Sequence, residues 1–212
     1  MPTASLPPMA LPVVPSGSPS LTYPLQLDLE APANIARWRP LVQWLLVIPH
    51  FVVLYVLAIV QRVVLVISFF AILFTGAMPE GLFGFNAMVL RYQWRVLSYA
   101  MFMREGYPEF AFPMEPTDPA TDPARVSVQQ APTLSRGLIF VKWLLAIPHY
   151  VILFFLYVAV SVVAVIGFFT VIITGAWPEG MRTFVVGVVR WSARVSMYAM
   201  LMTDRYPPFS LV

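Results

Sequence analysis

No cysteine occurs among the 212 residues, which excludes disulfides, thiolate metal sites and a thiol nucleophile, and leaves redox compartment unread. Charge is scarce as well: 11% of residues are charged and 59% hydrophobic, whereas ordinary soluble chains carry roughly 25% charged residues. That balance excludes a soluble domain. Thirteen basic against ten acidic side chains leave a net charge of +3, an ordinary excess for a membrane protein with cytoplasmic loops and no case for nucleic acid. The start of the chain lacks a basic stretch followed by an apolar core, so no signal peptide is read and the first membrane helix is expected to direct insertion. No phosphate loop, nucleophile elbow or metal-protease helix is present.

What the chain does have is long apolar runs. Residues 41–60 and 63–78 are separated only by Gln61 and Arg62, and residues 138–177 carry Lys142 as their one formal charge. Runs beyond about 18 apolar residues read as membrane helices. The expectation is an integral membrane protein.

It also has an internal repeat. Trp44-Leu45-Leu46-Val47-Ile48-Pro49-His50 returns 99 positions later as Trp143-Leu144-Leu145-Ala146-Ile147-Pro148-His149. The same offset carries Thr75-Gly76-Ala77 onto Thr174-Gly175-Ala176, Pro79-Glu80-Gly81 onto Pro178-Glu179-Gly180, and Arg91 and Arg95 onto Arg190 and Arg194. Tyr107-Pro108 likewise becomes Tyr206-Pro207. The chain is two copies of one unit, so the chemistry of one copy must make sense twice.

In order, residues 1–24 hold seven prolines and no formal charge and read as an extended arm. Repeat 1 covers 25–110, a linker 111–123, repeat 2 124–209, and a short tail 210–212. Residues 25–30 and their counterpart 124–129 alternate in polarity and read as strands able to pair outside the membrane, with 110–114 as a third. Helices follow over about 33–48 and 132–147, where arginine and tryptophan suit the headgroup zone. Pro49 and Pro148 should kink or break the chain there. Spanning helices over 50–75 and 149–174 end at Thr-Gly, and returning helices run over 82–103 and 181–202. The expected fold class is therefore an all-α integral membrane protein of two tandem parallel repeats. It has about four crossing helices, two interfacial or kinked ones, and small extramembrane strands. Basic residues concentrate on the side of the termini and linker, which places both termini in the cytoplasm and the protein in the inner membrane as a multi-pass chain.

Three sets of residues are candidates for chemistry. Arg91 and Arg95, and Arg190 and Arg194, sit one turn apart on the returning helices. They would build an anion or lipid-phosphate site, or else snorkel to headgroups from a shallow helix. His50 and His149 are the only histidines; they would ligate one haem together, or each would bond a backbone carbonyl freed by its neighbouring proline. Glu80 and Glu179 read as turn residues whose charge suits a helix N-terminus. All ten carboxylates lie outside the apolar runs, so a proton or sodium relay has no stepping stones. No metal site and no catalytic residue is expected.

The ordered set Trp-Leu-Leu-x-Ile-Pro-His, Phe69-Phe70, Thr75-Gly76, Pro-Glu-Gly, Arg91-x-x-x-Arg95 and Tyr107-Pro108 resembles the bacterial membrane proteins grouped as uncharacterised-domain family 4389. The second copy matches at Phe168-Phe169, Thr174-Gly175, Arg190, Arg194 and Tyr206-Pro207-Pro208-Phe209. The resemblance covers about residues 23–210 and implies a multi-pass membrane protein with no established activity to carry over. The functional expectation is a non-enzymatic accessory or scaffold subunit of a larger inner-membrane complex, in contact with lipids and protein partners and without a cofactor. It rests on the missing catalytic constellation, the proline-rich arm, and a helix set too small to enclose a pore. A lipid- or anion-binding transporter component using the four arginines, and a haem-binding electron-transfer subunit using both histidines, are the alternatives.

Overall fold

The computed structural model describes residues 23–115, 118 and 122–212, so all of the expected arm but Tyr23 and Pro24 lies outside the described residues. Alternating polarity produces two strands, β1 (Leu25–Leu29) and β2 (Ala124–Val128). They pair antiparallel with Leu27 opposite Val126 at the centre, burying Leu25 and Leu27 of β1 and the even-numbered residues of β2, with Leu29 half-buried. The segment 110–114 is no third strand: Met114 lies with its carbonyl against Gly84 on a helix instead.

The helices begin later than the apolar pattern alone suggests. α1 covers Pro40–Leu46 and α2 Ile48–Thr75, joined at Val47, with Pro49 in the first turn of α2, where its missing N–H costs nothing. Residues before Pro40 are occupied elsewhere, because the Ile35 amide donates to the carbonyl of Gly175 in the other repeat at 2.6 Å. The equivalent Leu134 amide donates to the Gly76 carbonyl at 2.8 Å, and only a 3-10 turn at Leu138–Phe140 precedes α4, Lys142–Thr174. Pro148 lies inside α4 without ending it, unlike Pro49. Gly76 and Gly175 take φ of 76° and 77°, the left-handed cap that stops α2 and α4. α3 (Glu80–Ala100) and α5 (Glu179–Ala199) then return, each with its expected glutamate in the first turn.

Among the described residues two helical segments, Pro40–Thr75 and Lys142–Thr174, are long and apolar enough to cross a membrane, against four expected. α3 and α5 differ in kind. Neither exposes a large hydrophobic side chain, and α3 buries Arg91 and Arg95. The strands pack on them from one side, and α2 and α4 from the other. They are the middle layer of a three-layer molecule, with Leu27, Trp94, Val126 and Trp191 in its core.

The repeats are not parallel. The end of α2 meets the start of the second repeat, with Phe69 edge-on to Phe140 at 5.2 Å between centroids. The end of α4 meets the first repeat, where Phe168 contacts Phe102 at 5.4 Å and lines a cavity with Trp44. α2 and α4 therefore run in opposite directions about a twofold relation centred on the Leu27–Val126 pair. The parallel expectation followed from counting two crossings per copy, and α3 and α5 are not lipid-facing helices.

Candidate functional site

Each histidine sits in an aromatic cage built by its own repeat. His50 Nδ1 lies 2.6 Å from the Tyr92 hydroxyl on α3, and its ring stacks on Phe110 at 4.3 Å with Tyr107 beside it. In repeat 2 the Trp191 indole N–H donates to His149 Nδ1 at 3.0 Å, and the ring stacks on Phe209 at 4.0 Å beside Tyr206. An indole N–H only donates, so Nδ1 of His149 accepts and the proton resides on Nε2. Burial, with Tyr107 adding, pushes the Tyr92 phenol up to about 12, so it is neutral at physiological pH.

The expected bond from histidine to a carbonyl freed by proline is replaced by a side-chain bond that ties α2 to α3 and α4 to α5. The two cages share no residue and belong to opposite ends of the molecule, so His50 and His149 do not converge on one haem. Both rings are fully buried. The Ile-Pro-His and Tyr-Pro-x-Phe segments recur together because they form one clasp. Tyr107 and Tyr206 extend it by donating to the carbonyls of Leu46 and Leu145 at 3.4 and 3.2 Å.

The four arginines are not brought together as one anion site. The central Leu27–Val126 pair turns its backbone groups outward from the strand ladder, and arginines meet them. Arg91 Nε donates to the Val126 carbonyl at 3.1 Å, and Arg190 Nη2 donates to the Leu27 carbonyl at 3.0 Å. Each repeat's first arginine thus caps the strand that belongs to the other repeat, which blunts the open edge of a two-stranded sheet. Trp94 adds a bond from its indole N–H to the Asp28 carbonyl at 2.9 Å.

The charge environment of the two pairs differs. Arg95 meets Asp118 at 3.0 Å and Asp122 at 3.9 Å, and Arg91 approaches Asp118 at 4.0 Å. Asp118 also accepts from the Val126 amide at 3.0 Å, and Asp122 from the Ala124 amide at 2.8 Å. Asp122 further pairs with Arg104. The segment expected as a plain linker therefore delivers two structural carboxylates. Arg190 and Arg194 have no Asp or Glu partner among the described residues: Arg190 donates to the carbonyls of Leu27 and Leu211, while Arg194 donates to the main-chain oxygen of Val212 and faces the Tyr23 ring at 5.8 Å. Burial lowers the pKa of Arg91, with Asp118 opposing; burial and then Arg190 lower that of Arg194, with Tyr23 opposing.

Sequence reasoning missed Gln43 and Lys142, which occupy equivalent positions under the 99-residue offset. Gln43 donates to the Arg104 carbonyl at 2.7 Å and Lys142 to the Thr203 carbonyl at 2.8 Å. A buried polar residue at one position in both copies was the available signal.

On the polar face, a groove of about 760 Å³ is lined by Asp28, Glu30, Arg125, Arg182 and Arg190, charges of both signs. A second cavity, about 500 Å³, is lined by Tyr23, Arg194, Arg205 and Tyr206. The sequence profile of a domain of unknown function (DUF4389) matches residues 37–112 and again residues 136–210. No curated protein and no solved structure matches the chain.

Proposed function

From the premise that the chain belongs to the DUF4389 family through both of its repeats, we propose that it is a non-enzymatic accessory or scaffold subunit of a larger bacterial inner-membrane complex. The observation that carries this reading is the two-sided build. Apolar α1, α2 and α4 form one side, and a polar sheet with a mixed-charge groove forms the other. Between the sides, the side chains that chemistry would draw on are engaged in holding the fold. Such a molecule links lipid to a polar partner, and the groove suits a protein segment carrying both charge signs. Both described ends of the chain belong to the polar side, which the basic excess assigns to the cytoplasm.

Gentle extraction from native membranes, followed by a native gel and mass spectrometry, tests the proposal. Co-migration with a defined set of proteins is the expected outcome. A lone, stable particle would contradict it.

A second reading has one observation in its favour. Arg194, buried and without an Asp or Glu partner among the described residues, lines a cavity with Arg205 and two tyrosines. That arrangement suits an anion or a lipid phosphate. Arg194→Gln would then release phospholipid from the purified protein without unfolding it, and unchanged lipid content would sink this reading.

A further inference from the structure

The two helices long enough to span a bilayer are arranged so that spanning is physically costly. Leu27, the centre of β1, and Tyr157, near the middle of α4, line one cavity with Leu90, Trp94 and Val189. The sheet is therefore level with the middle of α4, not beyond its end. Standing α2 and α4 upright in a bilayer would hold the sheet at the depth of the hydrocarbon. Gln26, Asp28, Ser127 and Gln129 are exposed on the sheet's outer face, and polar and charged side chains facing hydrocarbon are costly.

Arg62 gives an independent argument. It lies at the midpoint of α2, is exposed, and forms no hydrogen bond or ion pair among the described residues. A guanidinium facing lipid at mid-bilayer is strongly disfavoured. Lengths agree: 28 residues of α2 and 33 of α4 correspond to about 42 and 50 Å of helix, against a hydrocarbon core of about 30 Å.

Exposure is also one-sided. On α2, His50, Gln61, Val64, Ser68 and Ile72 are buried, and at 100° per residue they fall within one narrow arc. Phe51, Tyr55, Ile59, Val63 and Phe70 are exposed and fall on the opposite arc, with Arg62 at its margin. α4 repeats this, burying Ala146, His149, Leu153, Val160, Gly167 and Val171 at steps of three, four and seven. An ordinary interfacial helix needs a polar face toward water; here that face is already covered by α3 and α5.

We propose that α2 and α4 lie in the plane of the membrane and submerge one apolar face in a single lipid leaflet, leaving the sheet in water. Their opposite directions then require no crossing. Trp38, Trp44 and Trp143, all exposed, sit at the headgroup boundary, and Arg62 reaches phosphates from the edge of the submerged face. This rests on the membrane association in the proposed function and is independent of any protein partner.

The absence of cysteine makes the test direct. Gly81, Gly137 and Gly180 are exposed, and a side chain added at each meets nothing within 4 Å. Gly81→Cys, Gly137→Cys and Gly180→Cys are made singly in the full chain and treated with an impermeant maleimide, in intact spheroplasts and after lysis. Labelling in denaturant provides the control. The expected result is one shared pattern: all three are protected in spheroplasts and fully modified after lysis. A two-helix hairpin across the bilayer would put positions 81 and 137 on one side and 180 on the other. Four crossings would put 81 and 180 on one side and 137 on the other. Either split overturns the in-plane arrangement, as does recovery of the chain in the soluble fraction. Labelling of all three from outside would keep the arrangement and reverse only the cytoplasmic assignment.

Discussion

The two repeats solve the same packing problem with different side chains. Where repeat 1 buries Gln61 against Asn86, with an amide hydrogen bond of 3.1 Å, repeat 2 buries Val160 and Val185. Where repeat 1 has buried Ser68 and Met78, repeat 2 has Gly167 against the Trp177 ring. Repeat 1 offsets its buried arginines with Asp118 and Asp122; repeat 2 meets Arg190 and Arg194 with main-chain oxygens and a tyrosine ring. The histidine cage, the left-handed glycine, the tyrosine clasp and the arginine on the strand carbonyl are common to both. The shared features connect one element to another. The differing ones fill space between elements already connected, and there volume and pairing matter more than identity.

Breaking the charge difference should have the largest effect. Asp118→Ala leaves Arg91 and Arg95 buried without their shared carboxylate, and removing one partner of a buried pair costs about 3–5 kcal/mol. Thermal unfolding in detergent should register that loss, and a change below about 1 kcal/mol would show that the arginines do not depend on Asp118.

Importing one repeat's packing into the other comes next. A Cβ on Gly167 would lie 2.3 Å from the Trp177 ring, so Gly167→Ser should destabilise by about 1–3 kcal/mol. Adding Trp177→Met recreates the Ser68–Met78 pair of repeat 1 and should recover much of the loss. Additive losses in the double-mutant cycle would mean that the two positions are not coupled.

The amide pair sets a smaller and more discriminating test. Asn86→Val alone strands the buried Gln61 amide, at about 1–3 kcal/mol. Gln61→Val together with Asn86→Val imports the arrangement of repeat 2 and should fall within about 1 kcal/mol of the wild type. A double variant worse than the single one would show that the polar pair has a role beyond filling its site.

The smallest effect belongs to Arg62, whose counterpart in repeat 2 is Ser161. Arg62→Ser should leave stability within about 0.5 kcal/mol, as for an exposed side chain outside any network. A loss above about 2 kcal/mol would reveal a structural partner for Arg62.

Much of the fold was legible in the sequence because its signals are local. Alternating polarity marked β1 and β2, and the Thr-Gly stops placed the ends of α2 and α4 where the left-handed caps occur. The repeat itself, and with it the family, could be read from the ordered motifs. Direction and layering were harder to read, since the apolar content of α3 is the same whether a sheet or lipid covers it. Arg91 and Arg95 were the clue: they mark protein interior, where Asp118 and the Val126 carbonyl meet them. The histidine partners were hidden for a related reason. Tyr92 and Trp191 differ in type at equivalent positions, and only the fold shows that both hydrogen-bond to a ring nitrogen.

Proximity cross-linking tests the reversed arrangement of the repeats most directly. In the cysteine-free chain, Phe69→Cys with Phe140→Cys joins the end of α2 to the start of repeat 2, and Phe102→Cys with Phe168→Cys joins the end of α4 to repeat 1. With a short bismaleimide on native membranes, both pairs should link within one chain. Failure of both pairs in protein that retains its native unfolding midpoint would contradict the opposed directions of α2 and α4.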